Sequence, residues 1–423
     1  RRLLSSGNTG VWASESRVGL QLHVCANASV SAYTTYKLHF DVMNSPRSYG
    51  DVHSPAITVE ASGTLVFKRI DVDKTGDALL GVEQGRDPFE VVVPVFTRQD
   101  MGQSTPMATA QNTLTLVFSV SVEISRDVMS ILTISGLDGA GSSGLLDSSN
   151  ITSVAIHVFV GSSEHGHDFC DLDGNSGFGT WEESDGRSKL ILQLCQWKND
   201  LRFGHGSVFT VSFDIVNPQI NQESPNIMVS GNGKLFVIPP VPIIRSGVSL
   251  LGVSLGYDPL KVVVPIFEFK DISQTRPFAS SLNEIRISLS TNVDLVSGTV
   301  ITISGLSPSK ILPEGEFQIK SVDYATNVSR SVFCVGDLDG HAEWKSLVLL
   351  TICDGSIFRV ASTYHIRFNV TNPAEEQESP DITIGVKRTS PRDLEIINSL
   401  MIKPSGEIST ICVGDAESAS SLF

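Results

Sequence analysis

The sequence lacks several features that would indicate a function directly. No apolar run approaches the roughly 20 residues that a helix needs to span a bilayer, and helical periodicity is nearly absent. The chain has 31 Lys and Arg against 46 Asp and Glu, which gives a net charge of −15. Because nucleic-acid binding needs clustered basic side chains, we expect neither a membrane span nor a nucleic-acid partner.

Support for catalysis is also scarce. The sequence contains no phosphate-loop motif and no His-Glu-x-x-His motif. Histidines cluster only at His165-Gly166-His167-Asp168, whose polar neighbours favour a solvated loop. We therefore expect that the protein is not an enzyme and needs no cofactor.

Repeated segments are the main positive feature. Residues 36–46, 209–218 and 364–373 share an alternating apolar pattern that ends in Asn-Pro or Asn-Ser-Pro, and a Ser-Pro pair follows each of them. The run Val91-Val92-Val93-Pro94 returns 171 residues later as Val262-Val263-Val264-Pro265. Such spacing predicts tandem modules of one fold.

Composition indicates the class of that fold. The repeated runs are rich in Val, Ile, Thr and Phe, and 35 Gly and 19 Pro mark the turns between them. This pattern predicts an all-β chain of tandem Ig-like antiparallel β-sandwiches. We expect an incomplete module at residues 1–85, complete modules at 86–254 and 255–388, and a donor-strand-like tail at 389–423.

Cysteines recur at matching places in the repeats. The spacing predicts disulfides Cys170–Cys195 and Cys334–Cys353, which suit an oxidising, extracellular compartment. Six free buried thiols in a cytosolic protein are the alternative. Sequons predict N-linked glycans at Asn27, Asn150, Asn327 and Asn369.

The acidic loop after Cys170 has two interpretations. Asp171, Asp173, Asn175 and Glu182 occupy positions 1, 3, 5 and 12 of a calcium-loop spacing. Position 6 is Ser176 instead of Gly, however, and Asp-Gly is also a common turn dipeptide. The alternatives are therefore a calcium site and a plain turn.

Tryptophans open the same segment in each copy, as Trp12, Trp181 and Trp344. Packing in the core or at a module junction is the simpler interpretation, and exposed platforms for carbohydrate are the sharper one. Trp197 has no counterpart in the other copies.

The two ends of the chain look complementary. Ile411-Cys412-Val413-Gly414-Asp415 resembles the segment at Cys334, and Cys25 lacks the partner that the other modules have. The hypothesis is that residues 394–402 and 408–413 of one subunit complete the first module of the next. An intersubunit Cys25–Cys412 disulfide would lock that joint. A slice of a longer tandem array and a closed arrangement within one chain are the alternatives.

The motifs Ile-Thr-Ile-Ser-Gly-Leu, Phe-x-Val-x-Asn-Pro and Ser-Pro-x-Ile resemble repeats of large secreted proteins that form cell-surface fibrils or flagellar hairs in algae and protists. This resemblance covers most of residues 11–388 and implies a structural subunit of an extracellular filament, whose partners are further copies of itself. The alternative is a glycan-binding or adhesive ectodomain with repeats as spacers. A cell-wall enzyme with accessory β-domains is the third possibility.

Overall fold

The computed structural model describes residues 11–13, 19–44, 56–63, 66–142, 151–197, 201–306, 315–323, 331–388 and 394–404. Residues 1–53 and 54–423 form two separate compact units. Within the described residues, no helix is both long and apolar enough to cross a membrane.

The unit formed by residues 1–53 contains little regular structure in its described part. Two short antiparallel strands pair there, β1 (Val11–Ala13) and β2 (Gly19–Gln21). Most of the side chains at residues 21–44 are exposed, including those of Leu38 and Phe40. The alternating pattern of residues 36–46 therefore predicted a strand that the described residues 36–44 do not form.

The other unit begins with an isolated hairpin. Strand β3 (Thr58–Ala61) pairs with β4 (Phe67–Asp71), and every side chain described in the two strands is exposed. Residues 72–95, called the first linker here, connect this hairpin to the second module. The second linker, residues 243–266, connects the second module to the third.

The second module is a β-sandwich with one short 3-10 helix, η1 (Gly166–Asp168). Its strands are β5 (Phe96–Gln103), β6 (Gln111–Val120), β7 (Ile124–Ser125), β8 (Ile131–Ser135), β9 (Gly141–Ser142), β10 (Ile151–Val160), β11 (Ser163–Glu164), β12 (Phe169–Cys170), β13 (Phe178–Ser184), β14 (Arg187–Leu194), β15 (Arg202–Phe203), β16 (Phe209–Val216), β17 (Met228–Asn232), β18 (Val237–Pro242) and β19 (Ile244–Arg245).

The third module repeats this arrangement. Its strands are β20 (Phe267–Gln274), β21 (Leu282–Thr291), β22 (Leu295–Val296), β23 (Val300–Ser304), β24 (Gly315–Gln318), β25 (Lys320–Asp323), β26 (Cys334–Val335), β27 (Leu338–Asp339), β28 (His341–Trp344), β29 (Val348–Thr351), β30 (Ile357–Phe358), β31 (Tyr364–Thr371), β32 (Thr383–Arg388) and β33 (Leu394–Leu400).

Each of these two modules packs one sheet against another. In the second module, β5, β6 and β16 form one layer and β18, β17, β8, β14 and β13 form the other, while the long strand β10 contributes to both. In the third module, β24 and β25 divide the role of β10. Apolar side chains alternate inward along strands such as β6 and β16, which matches the period of a half-buried strand. The all-β, Ig-like sandwich prediction is confirmed.

The Ile-Ser-Gly-Leu motif has a structural cause. Gly136 and Gly305 have φ of +80° and +93°, in the left-handed region that favours glycine. A Cβ at either position would overlap the backbone carbonyl of Asn226 or Asp381, which lie just after the Ser-Pro pairs. The two repeated motifs therefore mark one close backbone approach in each module.

The predicted domain boundaries need two corrections. The tail prediction was wrong for residues 394–402, because β33 pairs with β32 of its own module and Ile402 bridges to Asp271 on β20. These residues thus complete the third module, as β18 and β19 complete the second, and are already engaged within the chain. Residues 405–423, including Cys412, lie outside the described residues.

The second correction concerns the Val-Val-Val-Pro segments. As Val-rich repeated runs, they were predicted to be strands of the modules. Val91–Val93 and Val264 are instead irregular, and Val262 and Val263 form only isolated bridges, to Gln222 and Met107. Both segments are parts of the linkers, so the modules begin at Phe96 and Phe267.

Candidate functional site

The junction between the second and third modules is built on three buried amide side chains. Gln103 ends β5, Asn112 lies on β6 and Asn217 follows β16. Asn112 Nδ2 donates to Gln103 Oε1 and to Asn217 Oδ1, both at 2.9 Å. Asn112 Oδ1 accepts from the backbone amides of Ser104 and Thr105 at 3.1 and 3.2 Å. We call these three residues the second-module amide cluster.

Asn217 fixes the loop that follows β5. Its Nδ2 donates to the backbone carbonyls of Thr105 and Met107, at 3.0 and 2.8 Å. Pro218 comes next and has no backbone N–H to add to the ladder. The repeated Asn-Pro motif therefore ends a strand and holds the neighbouring loop in place.

Gln103 joins the amide cluster to the second linker. Its Nε2 donates to the carbonyls of Gly256 and Lys261 at 2.7 and 2.8 Å, and its Oε1 accepts from the Leu260 amide at 2.9 Å. Only 3% of Gln103 is exposed. All three contacts reach backbone atoms, so the recognition depends on the linker's conformation more than on its side chains.

Additional hydrogen bonds extend the contact along the linker. Val262 and Gln222 exchange two backbone hydrogen bonds, and Val263 bonds to the backbones of Pro106 and Ala108. Ser224 Oγ donates to the Pro259 carbonyl at 2.6 Å. Gln222 and Ser224 lie in the loop of the second module that contains its Ser-Pro pair. The second linker is therefore bound by two loops of the second module, this one and the loop after β5.

Apolar contacts continue the junction into the third module. Met107 belongs to the second module by sequence, but it packs within the hydrophobic core of the third and is 1% exposed. It lines a small cavity together with Leu251, Val296 and Leu394. The backbone amide of Asp294 donates to the Leu251 carbonyl at 2.9 Å, which fixes the linker to the third module as well.

The backbone of the second linker is strained at three leucines. Leu251, Leu255 and Leu260 have φ of 51°, 56° and 59°, which non-glycine residues seldom adopt. Such conformations persist where surrounding contacts determine them. Asp258 is one such contact, since its Oδ1 accepts from the Gly247 amide at 2.9 Å and closes the linker into a loop.

The second linker contains a serine motif that is also found in enzymes. Residues 252–256 read Gly-Val-Ser-Leu-Gly, which fits the Gly-x-Ser-x-Gly spacing of a nucleophile elbow. A nucleophile elbow joins a strand to a helix, whereas here Leu250 and Val253 exchange backbone hydrogen bonds across a tight turn. The motif thus forms a turn of the linker.

The structure joins the predicted cysteine pairs. Cys170 is bonded to Cys195 with an S–S distance of 2.05 Å, and Cys334 is bonded to Cys353 with their Cα atoms 5.3 Å apart. All four residues are buried. Cys25 is a free cysteine in the described part of the chain, and its proposed partner Cys412 lies outside that part.

The four predicted calcium ligands do not form one site. The Asp171 carboxylate accepts from Ser153 Oγ at 2.6 Å and from the Asn175 amide at 2.8 Å, and Glu182 pairs with Lys189 at 2.7 Å. Burial raises the pKa of Asp171, but these hydrogen bonds outweigh it and hold the pKa below its usual value. Among the described residues, no group of three or more His, Cys, Asp or Glu could hold a metal ion. The geometry favours the turn, with Asp171 as its acceptor, and Asp173 takes no part in a metal cluster.

Two of the four sequons lie within the described residues. Asn27 is exposed and has a φ of 66°, and Asn369 is exposed on β31, so both amides face solvent. Asn150 and Asn327 lie outside the described residues. Glycosylation at all four stays a prediction.

The histidine loop is exposed at His167, as predicted, and buried at Asp168. Asp168 is 2% exposed, and its carboxylate lies 2.8 Å from His165 Nδ1 and 3.3 Å from His167 Nε2. The Cys195 amide donates to the Asp168 carbonyl at 2.9 Å, so the loop is tied to the disulfide. Asp168 therefore has a structural role beside the disulfide.

The tryptophans that recur in the repeats are buried, and the one without a counterpart is exposed. Trp181 and Trp344 are 0% and 8% exposed and belong to the two module cores. Trp197 is 57% exposed, and Gly355 takes its place in the third module. The side chain of Trp12 lies outside the part of the chain that the structure describes.

Sequence reasoning missed the amide cluster. A signal was present, because Gln103 and Asn112 recur at the 171-residue spacing as Gln274 and Asn283. The recurrence of a polar residue inside an apolar strand pattern indicates a buried polar network. Only the Asn-Pro member of the network was noticed, as a strand end.

Comparisons with known proteins give similarities to solved structures and no family. No family model and no curated protein matches the chain. Among solved structures, it is similar to the C-terminal domain of the Streptococcus agalactiae AgI/II polypeptide BspA, with 7% identity, 74% of this chain and 100% of that chain covered, and a TM-score of 0.32. It is similar to the C-terminal domain of the Streptococcus pyogenes antigen I/II-family protein AspA, with 6% identity, coverages of 73% and 99%, and a TM-score of 0.35. A third is the collagen adhesin CNA from S. aureus, with 10% identity, coverages of 73% and 91%, and a TM-score of 0.20.

Proposed function

We propose that the chain is a structural part of an extracellular protein, in which β-sandwich modules are joined end to end through rigid junctions. The second linker carries this proposal. It is bonded to the second module through Gln103, Gln222 and Ser224 and to the third through Asp294. A linker with so many backbone contacts transmits load and orientation between modules, unlike a flexible tether.

The extracellular location rests on features of the sequence and of the modules. Two buried disulfides suit an oxidising compartment, and exposed Asn27 and Asn369 are accessible to glycosylation. The resemblance to surface-fibril repeats points the same way but rests on structural motifs. No catalytic step and no cofactor form part of this proposal.

Hydrogen exchange tests the rigid junction within a single molecule. We expect the amides of Leu260, Val262 and Val263 to exchange at the slow rate of the module strands, because each donates to a backbone or buried acceptor. Phe89, Val91 and Val92 are their counterparts in the first linker and serve as the matched control. Phe89 is 42% exposed, whereas Leu260 is 0% exposed.

The experiment is run in dilute protein and read by mass spectrometry of linker peptides. Protection of residues 260–263 at least tenfold above that of residues 89–92 supports the rigid junction, since about 1.4 kcal/mol of extra stability gives that ratio. Equal, fast exchange in both linkers would show that the second linker is a flexible tether.

An adhesive ectodomain is the second candidate, and Trp197 is the observation that favours it. A large exposed indole can stack on a sugar ring, and the third module has no counterpart. Its ring lies beside Gly174, where a Cβ would be in ordinary van der Waals contact with it. The modules would then serve as spacers that present this face.

Trp197→Ala tests this candidate on an oligosaccharide array. If the ring binds sugar, we expect at least a tenfold loss of signal for the bound glycans, with partial retention in Trp197→Phe. Trp197 is largely exposed, so the fold is expected to persist, which the melting temperature checks. Binding that is equal in all three proteins would remove Trp197 from the candidate site.

A further inference from the structure

The third module carries a second amide cluster with the same internal geometry. Asn283 Nδ2 donates to Gln274 Oε1 and to Asn372 Oδ1, both at 2.8 Å. Asn372 Nδ2 donates to the carbonyls of Arg276 and Phe278 at 2.8 and 2.9 Å. These bonds match those of the second-module cluster one by one. The two clusters differ in what covers them. Gln103 is buried under the second linker, whereas Gln274 is exposed.

An apolar side chain stands uncovered beside this cluster. Phe278 occupies the place of Met107, two residues before a left-handed residue in both loops, Thr109 and Ser280. Met107 is 1% exposed because it enters the third-module core, whereas Phe278 is 69% exposed. We call Gln274, Asn372 and Phe278 the docking face of the third module.

The first linker has the shape that such a face binds. Leu80, Gln84 and Phe89 have φ of 54°, 56° and 66°, close to the values of the second linker, and Asp87 Oδ1 accepts from the Gly76 amide at 2.9 Å. The first linker also contacts the second module as the second linker contacts the third, with the Glu123 amide donating to the Leu80 carbonyl. Because Gln103 recognises backbone atoms, the first linker presents the same groups.

Apolar side chains of the first linker are exposed where their counterparts are covered. Phe89 is 42% exposed, and Val92 and Val93 are 40% and 47% exposed. In the second linker, Leu260 is fully buried and Val263 and Val264 are partly buried. One chain therefore holds an uncovered docking face at its third module and an uncovered linker of the matching type before its second module.

We propose that the docking face of the third module binds the first linker of a second copy of this chain. Gln274 would bind the backbone of residues 85–90, and Phe278 would pack beside the hydrogen-bonded pair Leu80 and Glu123, as Met107 packs beside Leu251 and Asp294. This deepens the proposed function, because it uses the same junction between chains that the second linker forms within one. A contact of this kind is head-to-tail, and it produces linear chains of subunits when the rotation between copies does not close a ring.

Local sequence differences favour the first linker as the occupant. Tyr257 of the second linker packs against Gly102, where any Cβ would overlap its ring. The third module has Ser273 in place of Gly102, and the first linker has Arg86 in place of Tyr257. The docking face of the third module thus excludes the ring and accepts a flexible side chain.

The β3–β4 hairpin must turn away for this contact to form. The Val72 amide donates to the Ile57 carbonyl as the Ile243 amide donates to that of Ile227, so the hairpin occupies the place of β17 and β18. The incoming third module brings β32 and β33 to that place. All described side chains of β3 and β4 are exposed, so the displacement costs little buried area.

One charge pair opposes the contact and offers a sharp test. Lys261 pairs with Glu223 at 2.5 Å across the existing junction. Glu90 and Glu378 hold these two positions at the proposed one. Glu90→Lys is therefore expected to strengthen self-association about threefold to tenfold at 0.15 M salt. Glu164→Lys, on exposed β11, makes the same change in net charge at a residue outside the docking face and the first linker, and is the control.

Sedimentation velocity of the full chain over a range of concentrations measures the association. The wild type is expected to form a series of growing oligomers, while Phe278→Asp and Phe89→Asp each lower the association at least tenfold. A mixture of these two variants is expected to form dimers, because each retains the half that the other has lost. Monomers in that mixture, or equal effects of Glu90→Lys and Glu164→Lys, would overturn the proposal.

The outcome is distinguishable from failure of the rigid junction. Hydrogen exchange of residues 260–263 in monomeric Phe278→Asp reports on the existing junction alone. Protection there, without association of the wild type, removes the contact between copies and leaves the proposed function standing. Fast exchange there removes the proposed function itself.

Discussion

Asn112→Asp is expected to cost the second module about 3 to 5 kcal/mol and to release the second linker. The substitution replaces two donated hydrogen bonds, to Gln103 Oε1 and Asn217 Oδ1, by contacts between oxygens. It also places a carboxylate where Asn112 is 0% exposed. Gln103 would lose the partner that orients it toward Gly256 and Leu260.

Asn283→Asp is the matched control for this prediction. Asn283 is 1% exposed and makes the equivalent bonds in the third module, where no linker is bound among the described residues. Both variants are expected to destabilise their own module in urea. Only Asn112→Asp is expected to accelerate hydrogen exchange at residues 260–263, and equal exchange in both variants would contradict the role of the amide cluster in the junction.

The sequence predicted the fold well because its repeats carry a strong strand signal. Alternation in segments such as Phe209–Val216 fixes which face is buried, and the cysteine positions select a pairing between neighbouring strands. The same alternation misled at residues 36–46, where the described part has no sheet to pair with. A strand pattern describes what a segment can pair with, and the partner must be present elsewhere in the chain.

The junction could not be predicted from the sequence in the same way. Val262 and Val263 have the composition of strand residues, but they pair across to the preceding module through isolated bridges. Met107 is apolar like any core residue, and only the structure shows that its core belongs to the next module. Local propensity does not record which module a side chain enters, because that depends on how two folded units meet.

For residues 394–402, the tail hypothesis failed for a related reason. The alternation of Ile396 and Leu400 was taken to suit insertion into another subunit, but β33 satisfies its backbone groups on β32 of its own module. Strand pairing within a chain has no concentration cost, so a local edge outcompetes an equal edge on another molecule. The surfaces that remain uncovered are at Phe278 and at the first linker.

Removal of either disulfide is the second change with a large expected effect. Cys170 and Cys195 are 25 residues apart and Cys334 and Cys353 are 19 residues apart, which corresponds to about 3 kcal/mol for each bridge in the chain-entropy model. Cys170→Ser with Cys195→Ser should destabilise the second module by that amount, and Cys334→Ser with Cys353→Ser should do the same to the third. Urea unfolding, monitored by the hydrogen exchange of each module's peptides, separates the two effects.

Cys25→Ser is the control, because Cys25 is a free thiol in the described part of the chain. It should leave the unfolding of both modules unchanged, and peptide mapping without reductant should recover the Cys170–Cys195 and Cys334–Cys353 pairs from native protein. Each bridge closes a segment that contains the Trp strand of its module, so its loss should expose Trp181 or Trp344 first. Free thiols at all four positions, with stability equal to that of the serine variants, would contradict both the bridges and the extracellular location inferred from them.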